Sequence, residues 1–385
     1  MDMPKHVALS ELLDLLVVGE ALPFSVLDAQ GRLLLGEGSR LISQDRLELL
    51  IDRDGQVNRL QAEALRQTRG GLSKPTPAAA AATLFDRWEQ LVWTFDDMAR
   101  RLCRGDGKAR LAVDLVDQID DLLRRDVDVA LFLCMRRDDQ RFALYALTHS
   151  LHVTVLVLLT ARQLGWAAPR VRSAAGAVLT MNLSMLELQA TMAEQDTPPT
   201  GRQLDLIRSH PQRSVQILER AGVTDADWLA AVADHHEHQG GGGYPQGSAE
   251  VSEMAQLLRA TDVFMAKISP RAKRAAMAPQ LAARQLFQQQ AGSALAVALI
   301  KAIGVHPPGS LVQLQSGEVA VVTRRPAAGV ATQVATLSNR QGQPVVDTHR
   351  RDTAPPEFTI RGAVTDTTLF PRVLPERVYG QIRGD

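Results

Sequence analysis

The run Asp234-His235-His236-Glu237-His238-Gln239-Gly240-Gly241-Gly242-Gly243-Tyr244-Pro245 sets adjacent imidazoles ahead of four glycines, an aromatic ring and a proline. Neutral imidazole is the commonest metal ligand, so metal binding is the chemistry this pair suggests. Consecutive helical positions point about 100° apart, so at the end of a helix His235 and His236 flank a site without both pointing into it. A chance surface pair has the same two letters, and the pair alone does not decide between them. Other histidines and carboxylates lie far apart in sequence, among them His149 in the segment Tyr145 to Val153, His210 before Pro211 and Asp262 in the segment Leu257 to Phe264, and spacing alone does not join them to this pair. A lone histidine in an apolar helix ordinarily hydrogen-bonds within the core. A carboxylate with strongly apolar neighbours, as at Asp262, is not a plain surface charge.

The elements that must position these groups are helical. From Thr83, a capping residue, Leu84, Trp88, Leu91, Val92, Phe95 and Met98 keep one apolar face. A second helix follows through Leu111, Leu115, Ile119, Leu122 and Leu123, and a third over Val127 to Met135. The helix carrying His149 runs to a stop at Gly165. Thr200-Gly201-Arg202-Gln203 is a capping box opening a helix toward His210, and Pro211 then begins a new helix. Thr224 caps the helix that delivers His235 and His236. Helices continue to about Ile303.

Both ends of the chain read as β-rich. Pro23 to Gly38 gives two short strands around Gln30-Gly31, with Phe24, Val26, Leu33 and Leu35 at the apolar positions, followed by a helix through Leu47, Leu50 and Ile51. Lys74 to Ala82 has the composition of a linker, the place where limited proteolysis is expected first. From Pro308, Val312 and Leu314 alternate with Gln313 and Gln315, Ser316-Gly317 turns, and Val319 to Val322 answer. Val330 to Leu337, Pro344 to Asp347 and Phe358 to Val364 are also β-like, and the end from Asp366 is irregular. The expected division is 1–72, a β/α module; 73–83, a linker; 84–308, a helical domain; and 309–385, a β-rich extension.

Composition sets limits on function. A chain of 385 residues with 45% hydrophobic content builds a well-buried core. Lys+Arg and Asp+Glu number 43 each, so no basic excess argues for nucleic acid or an anionic membrane surface. Cys103 and Cys134 fall in apolar helical patterns as small buried hydrophobes, which fits a reducing compartment. The apolar run around Val153 to Leu159 is too short to span a membrane, and Asp2 and Lys5 precede no apolar leader, so the expected location is the cytoplasm.

The string HHE followed by G-x-GYP resembles the second signature of the HD-GYP family, metal-dependent phosphodiesterases that hydrolyse the bacterial messenger cyclic di-GMP. His149-Ser150-Leu151-His152-Val153 resembles the family's H-S-x-x-V element, His210-Pro211 its H-P pair, and Leu257 to Phe264 the helix bearing its last metal aspartate. The resemblance covers about Thr83 to Thr323. It implies His149, His210, His235, His236 and Asp262 as metal ligands and Gly241, Gly243, Tyr244 and Pro245 as a ligand- or partner-binding loop. Ser269 to Arg274 falls where the family has an R-P-Y-R segment facing ligand phosphates, which implies Arg271 and Lys273 as binding residues. A solvated basic turn explains that segment equally well.

The sequence departs from the family at its namesake. Thr180 stands at the histidine of H-D-x-G-K, Met181 at the aspartate, Leu183 at the glycine and Ser184 at the lysine, while Tyr145 and Gly240 replace two further carboxylates. In the family that aspartate bridges two metal ions, and a thioether is a soft, weak ligand for Fe or Mn. The remaining groups suffice for one divalent ion, at partial occupancy or none, and are poor for two. The resemblance thus implies a mainly α, HD-domain-like helical bundle with small β-rich N-terminal and C-terminal modules. It further implies a degenerate signalling protein that binds cyclic di-GMP or a diguanylate cyclase (GGDEF) partner, with an active phosphodiesterase at an altered metal site as the alternative.

Overall fold

The structure is a computed structural model that describes residues 5–17, 20–31, 33–39, 47, 50–51, 54–69, 82–136, 144–271, 274, 276–290, 292–345, 347–366, 369–370 and 373–380. Residues 73–81 of the expected 73–83 linker and the candidate binding residue Lys273 lie outside the described residues. The fold is mainly helical, with a small antiparallel sheet at each end, as the sequence implied. No helix among the described residues is long and apolar enough to cross a membrane.

The first sheet has four strands, β1 (His6–Ala8), β2 (Val26–Leu27), β3 (Leu33–Leu35) and β4 (Gln56–Asn58), in the order β1-β4-β2-β3. Phe24, Val26 and Leu35 are buried as expected, whereas Leu33 is half-buried and its neighbour Leu34 is buried, so strict alternation does not hold in β3. Sequence reading missed β1 and β4, because three residues each are too few to show a period. Helix α1 (Arg59–Arg69) follows.

The helical body contains α2 (Leu84–Arg104), α3 (Arg110–Arg125), α4 (Val127–Met135), α5 (Tyr145–Gln163), α6 (Ala168–Thr180), α7 (Leu186–Glu194), α8 (Gly201–Arg220), α9 (Ala226–Asp234), α10 (Glu253–Ile268), α11 (Pro279–Gln289) and α12 (Ala294–Ile303). Thr83 caps α2 as expected: its hydroxyl accepts from Asp86 N at 3.1 Å and the Asp86 carboxylate accepts from Thr83 N at 2.8 Å. Helix α5 is buried nearly all round, so it forms the axis of the body, packed by α6, α10 and α12. Three local expectations are corrected. Pro211 lies inside the continuous helix α8 and starts no new one, for a reason given below. The cap of α9 is Asp225, one residue past Thr224, because its carboxylate reaches Trp228 N at 3.1 Å. Cys103 is exposed, although Cys134 is buried, because α2 turns it toward the rim of the body, where its thiol meets the Leu183 carbonyl at 3.5 Å.

The C-terminal sheet has β5 (Leu311–Leu314), β6 (Val319–Arg324), β7 (Gln333–Thr336), β8 (Arg350–Asp352) and β9 (Ile360–Ala363) in the order β8-β7-β6-β5-β9. Pro344 to Asp347 was expected as a strand, yet Pro344 makes only an isolated bridge to Ser338 and the edge is Arg350–Asp352. An edge strand tolerates charge, which is why its sequence does not read as β. The tail is not irregular throughout either, since α13 (Pro375–Tyr379) docks on the body. The Tyr379 ring meets Phe132 edge-on at 5.1 Å and its hydroxyl donates to Thr323 O at 2.7 Å. Arg324 pairs with Asp126 at 2.5 Å and Arg325 with Asp128 at 2.6 Å, so two guanidinium groups of the sheet grip the start of α4.

Candidate metal centre

The centre begins with an exception to helix chemistry at Pro211. A proline has no N–H, so the Ile207 carbonyl four residues earlier loses its ordinary helical donor. The imidazole of His210 supplies one instead: its Nδ1–H donates to Ile207 O at 2.6 Å. That bond lets α8 continue through the proline, and it leaves Nε2 of the neutral ring as an acceptor. His235 repeats the arrangement at the end of α9, where its Nδ1–H donates to Val232 O at 2.7 Å.

Helix α9 stops at Asp234, so His235 and His236 are not two consecutive helical positions and the expected 100° divergence does not apply. Their ring centroids lie 4.2 Å apart, and the possible ligand nitrogens of His210, His235 and His236 all lie within 4.8 Å of one another. His210 Nε2 and His235 Nε2 face each other at 3.0 Å. Both rings have committed their one N–H to a backbone carbonyl, so two lone pairs point together. Such a contact is repulsive unless a cation lies between them. The donor set therefore fits a metal ion, and three imidazoles are within the number a mononuclear site uses.

Burial tunes these rings toward the neutral, ligating form. Burial, then the neighbouring His235, pushes His210 down to about 3. Burial followed by the charges of His235 and His210 pushes His236 down to about 2, and burial lowers His235. An unfolded chain takes up protons at these residues below about pH 6.5, while the folded one does not until far lower. Stability is thus fully present above about 6.5 and falls toward pH 3, by about 1.4 kcal/mol per pH unit for each of His210 and His236, with His235 adding in the same direction. Urea unfolding of the metal-free protein at pH 7, 6, 5 and 4 should show this slope, and His210→Gln should flatten it.

His149 and Asp262 meet beside the triad, on α5 and α10, with His149 Nε2 donating to the Asp262 carboxylate at 2.8 Å. Burial alone would raise Asp262, but the hydrogen bond and charge of His149, then His236 and His235, hold it at about 2. Tyr145 stacks on His149 at 5.3 Å, and its hydroxyl accepts from Arg271 at 2.8 Å. Arg271, expected to meet ligand, therefore reaches the Tyr145 phenol. Thr180 and Met181 are fully buried. The Thr180 hydroxyl donates to Gly176 O at 2.7 Å and accepts from Trp228 Nε1 at 2.9 Å. Ser184 donates to the His210 carbonyl at 2.9 Å.

The glycine loop is fixed from below by Glu237, whose role sequence reading missed although the residue stood inside the quoted motif. Its carboxylate is 1% exposed and accepts from the backbone N–H groups of Gln246, Gly247 and Ser248 at 2.7, 3.1 and 3.0 Å. Gly243 lies so close to the chain ahead of it that a Cβ would fall 2.5 Å from the Glu237 Cα. Together these lay the Tyr244 ring on His236 at 4.4 Å. Gly241 lies in the same loop with a left-handed backbone, and Pro245 follows Tyr244 through a cis bond. Glu237→Ala leaves three donors unpaired and should cost about 3 kcal/mol in urea unfolding, with Glu237→Gln recovering part of it.

A family model described as "HD domain" matches residues 130–295, the span that carries every group of this centre. The helical body has an HD-domain fold. The chain is 30% identical over 215 residues to the cyclic di-GMP phosphodiesterase PA4108 of Pseudomonas aeruginosa, a match that takes in 55% of this chain and 51% of that protein. The chain thus spans about half the length of this relative. A solved structure of Bd1817, a HDG"Y"P protein from Bdellovibrio bacteriovorus, overlays with a TM-score of 0.49 and 14% identity, over 77% of this chain and 98% of that one. Within the matched span the structure gathers His210, His235 and His236 into one cluster and His149 with Asp262 into an adjoining pair.

Proposed function

We propose that this chain is a cyclic di-GMP signalling protein whose HD domain holds one divalent ion on His210, His235 and His236 and acts by binding, not by rapid hydrolysis. The observation that carries the reading is the facing pair of Nε2 lone pairs, which a cation would join. Imidazole donors suit Fe(II) or Zn(II) better than Mn(II). A bound ion would supply a Lewis acid for a phosphate oxygen. The chain's own residues position it: two backbone carbonyls orient the rings, and Tyr244 covers His236. The similarity to a protein named a cyclic di-GMP phosphodiesterase supports cyclic di-GMP as the ligand, presented to a partner such as a diguanylate cyclase domain.

The same similarity favours a second reading, an active phosphodiesterase with an altered site. Thr180 and Met181 argue against it, since a buried, doubly hydrogen-bonded hydroxyl and a buried thioether stand where the family bridges its metals. Titration calorimetry with cyclic di-GMP tests the binding reading. Saturable binding by the metal-loaded protein, weakened by His236→Ala, is expected; no binding with or without metal would overturn it.

A further inference from the structure

We infer that Thr180, Gly176 and Trp228 form a joint that positions the metal-binding His235, so the residue that stands at the family's namesake histidine position serves as a hydrogen-bond acceptor for α9. The inference rests on the reading that the triad holds an ion. Helix α9 is nine residues long and ends immediately before His235, so its seat on the body decides where that imidazole lies.

Three contacts fix that seat, all from one face of α6. Ser173 donates to Asp225, the cap of α9, at 2.5 Å. Gly176 carries the indole: a Cβ there would lie 2.4 Å from Trp228 Cη2 and 2.5 Å from Cζ3, so only glycine lets the ring rest against the helix. Thr180 accepts the indole Nε1–H at 2.9 Å. Residues three and four apart share a helix face, so 173, 176 and 180 make one stripe. The Thr180–Trp228 hydrogen bond is buried, with Thr180 fully buried and Trp228 5% exposed. A hydrogen bond in such a place has no water to replace it. One turn beyond Trp228, the Val232 carbonyl accepts from His235 Nδ1. A shift of α9 therefore reaches the ligating ring through a single backbone bond. Trp228 and Thr180 are positioning residues, acting through α9.

The test compares Trp228→Phe and Thr180→Val, which remove the hydrogen bond, with Thr180→Ser, which keeps it. Co(II) is titrated into metal-free protein at a temperature where circular dichroism shows every variant folded. Trp228→Phe and Thr180→Val should weaken Co(II) binding about 3- to 10-fold and alter its visible ligand-field bands, with Thr180→Ser within about 2-fold of the parent; support contacts to a ligating His commonly matter on this scale or more. If both variants melt earlier but bind Co(II) with unchanged affinity and spectrum, the joint is packing only and the inference is wrong. A parent protein that binds no Co(II) would sink the metal reading instead. The joint is then judged from the His235 Nδ1–H resonance of the metal-free, histidine-labelled protein, which should move or broaden in Trp228→Phe and persist in Thr180→Ser. An unmoved resonance in Trp228→Phe would reject it.

Discussion

Purified protein incubated with cyclic di-GMP and Fe(II) or Mn(II) is expected to release linear dinucleotide or GMP at least about 1000-fold more slowly than a typical enzyme turns over. Typical rates lie on the order of 1–1000 per second, and for phosphodiesters at neutral pH they depend on metal-activated hydroxide and, in two-metal sites, on a clamp across attacking and leaving oxygens. Met181 cannot bridge ions, and its side chain is fully buried. Thr180 has spent its hydroxyl on Gly176 and Trp228. Ser184 offers the scissile phosphate no positive charge, and its hydroxyl is turned to the His210 carbonyl. Asp262, the one carboxylate the resemblance leaves as a ligand, is hydrogen-bonded by His149. On the proposed reading, these changes together leave too few anionic groups for a second ion. Multiple turnovers that disappear in His235→Ala or Asp262→Ala would overturn the expectation and establish the phosphodiesterase.

Metal analysis should find at most one ion per chain, and His210→Ala or His235→Ala should each weaken its binding by at least about 100-fold. Removing one of three ligands loses a coordinate bond, whereas loss of a supporting contact alone commonly costs 10- to 100-fold. The larger figure also reflects preorganisation, because Ile207 and Val232 hold both rings with Nε2 toward the ion before it arrives. His149→Ala should do less, since its Nε2 is already given to Asp262. The competing account of the 3.0 Å contact is a shared proton between His210 and His235. It predicts no metal after dialysis against Zn(II) or Fe(II), and that result would remove the metal centre.

The helical body and its terminal sheets were legible because long periodic runs such as Leu84 to Met98 and Val127 to Met135 carry their period openly. The histidines were legible as chemistry, but only the resemblance to a family suggested that positions as far apart as 149 and 262 belong together. Local bonds that override a strong rule were hidden. Pro211 reads as a helix start, and only the geometry shows a side chain supplying the bond that a proline lacks. Glu237 was visible as a letter of a motif, yet three backbone partners from residues 246–248 cannot be inferred from a carboxylate in sequence. Thr180 read as a loss, and its gain at Trp228 required the fold. Strands β1, β4 and β8 were missed because they are short, and β8 also because its charge belongs to an edge.

The grip of Arg324 and Arg325 on the start of α4 separates two kinds of boundary. The match to the HD-domain model ends at residue 295, before the C-terminal sheet begins. The cooperative unit does not end there. A fragment cut at that border would leave Asp126 and Asp128 without their counter-charges and strip Tyr379 from the fully buried Phe132. What the domain match covers and what the packing joins are here different lengths of chain, and a border drawn at the end of that match would run through a packed interface.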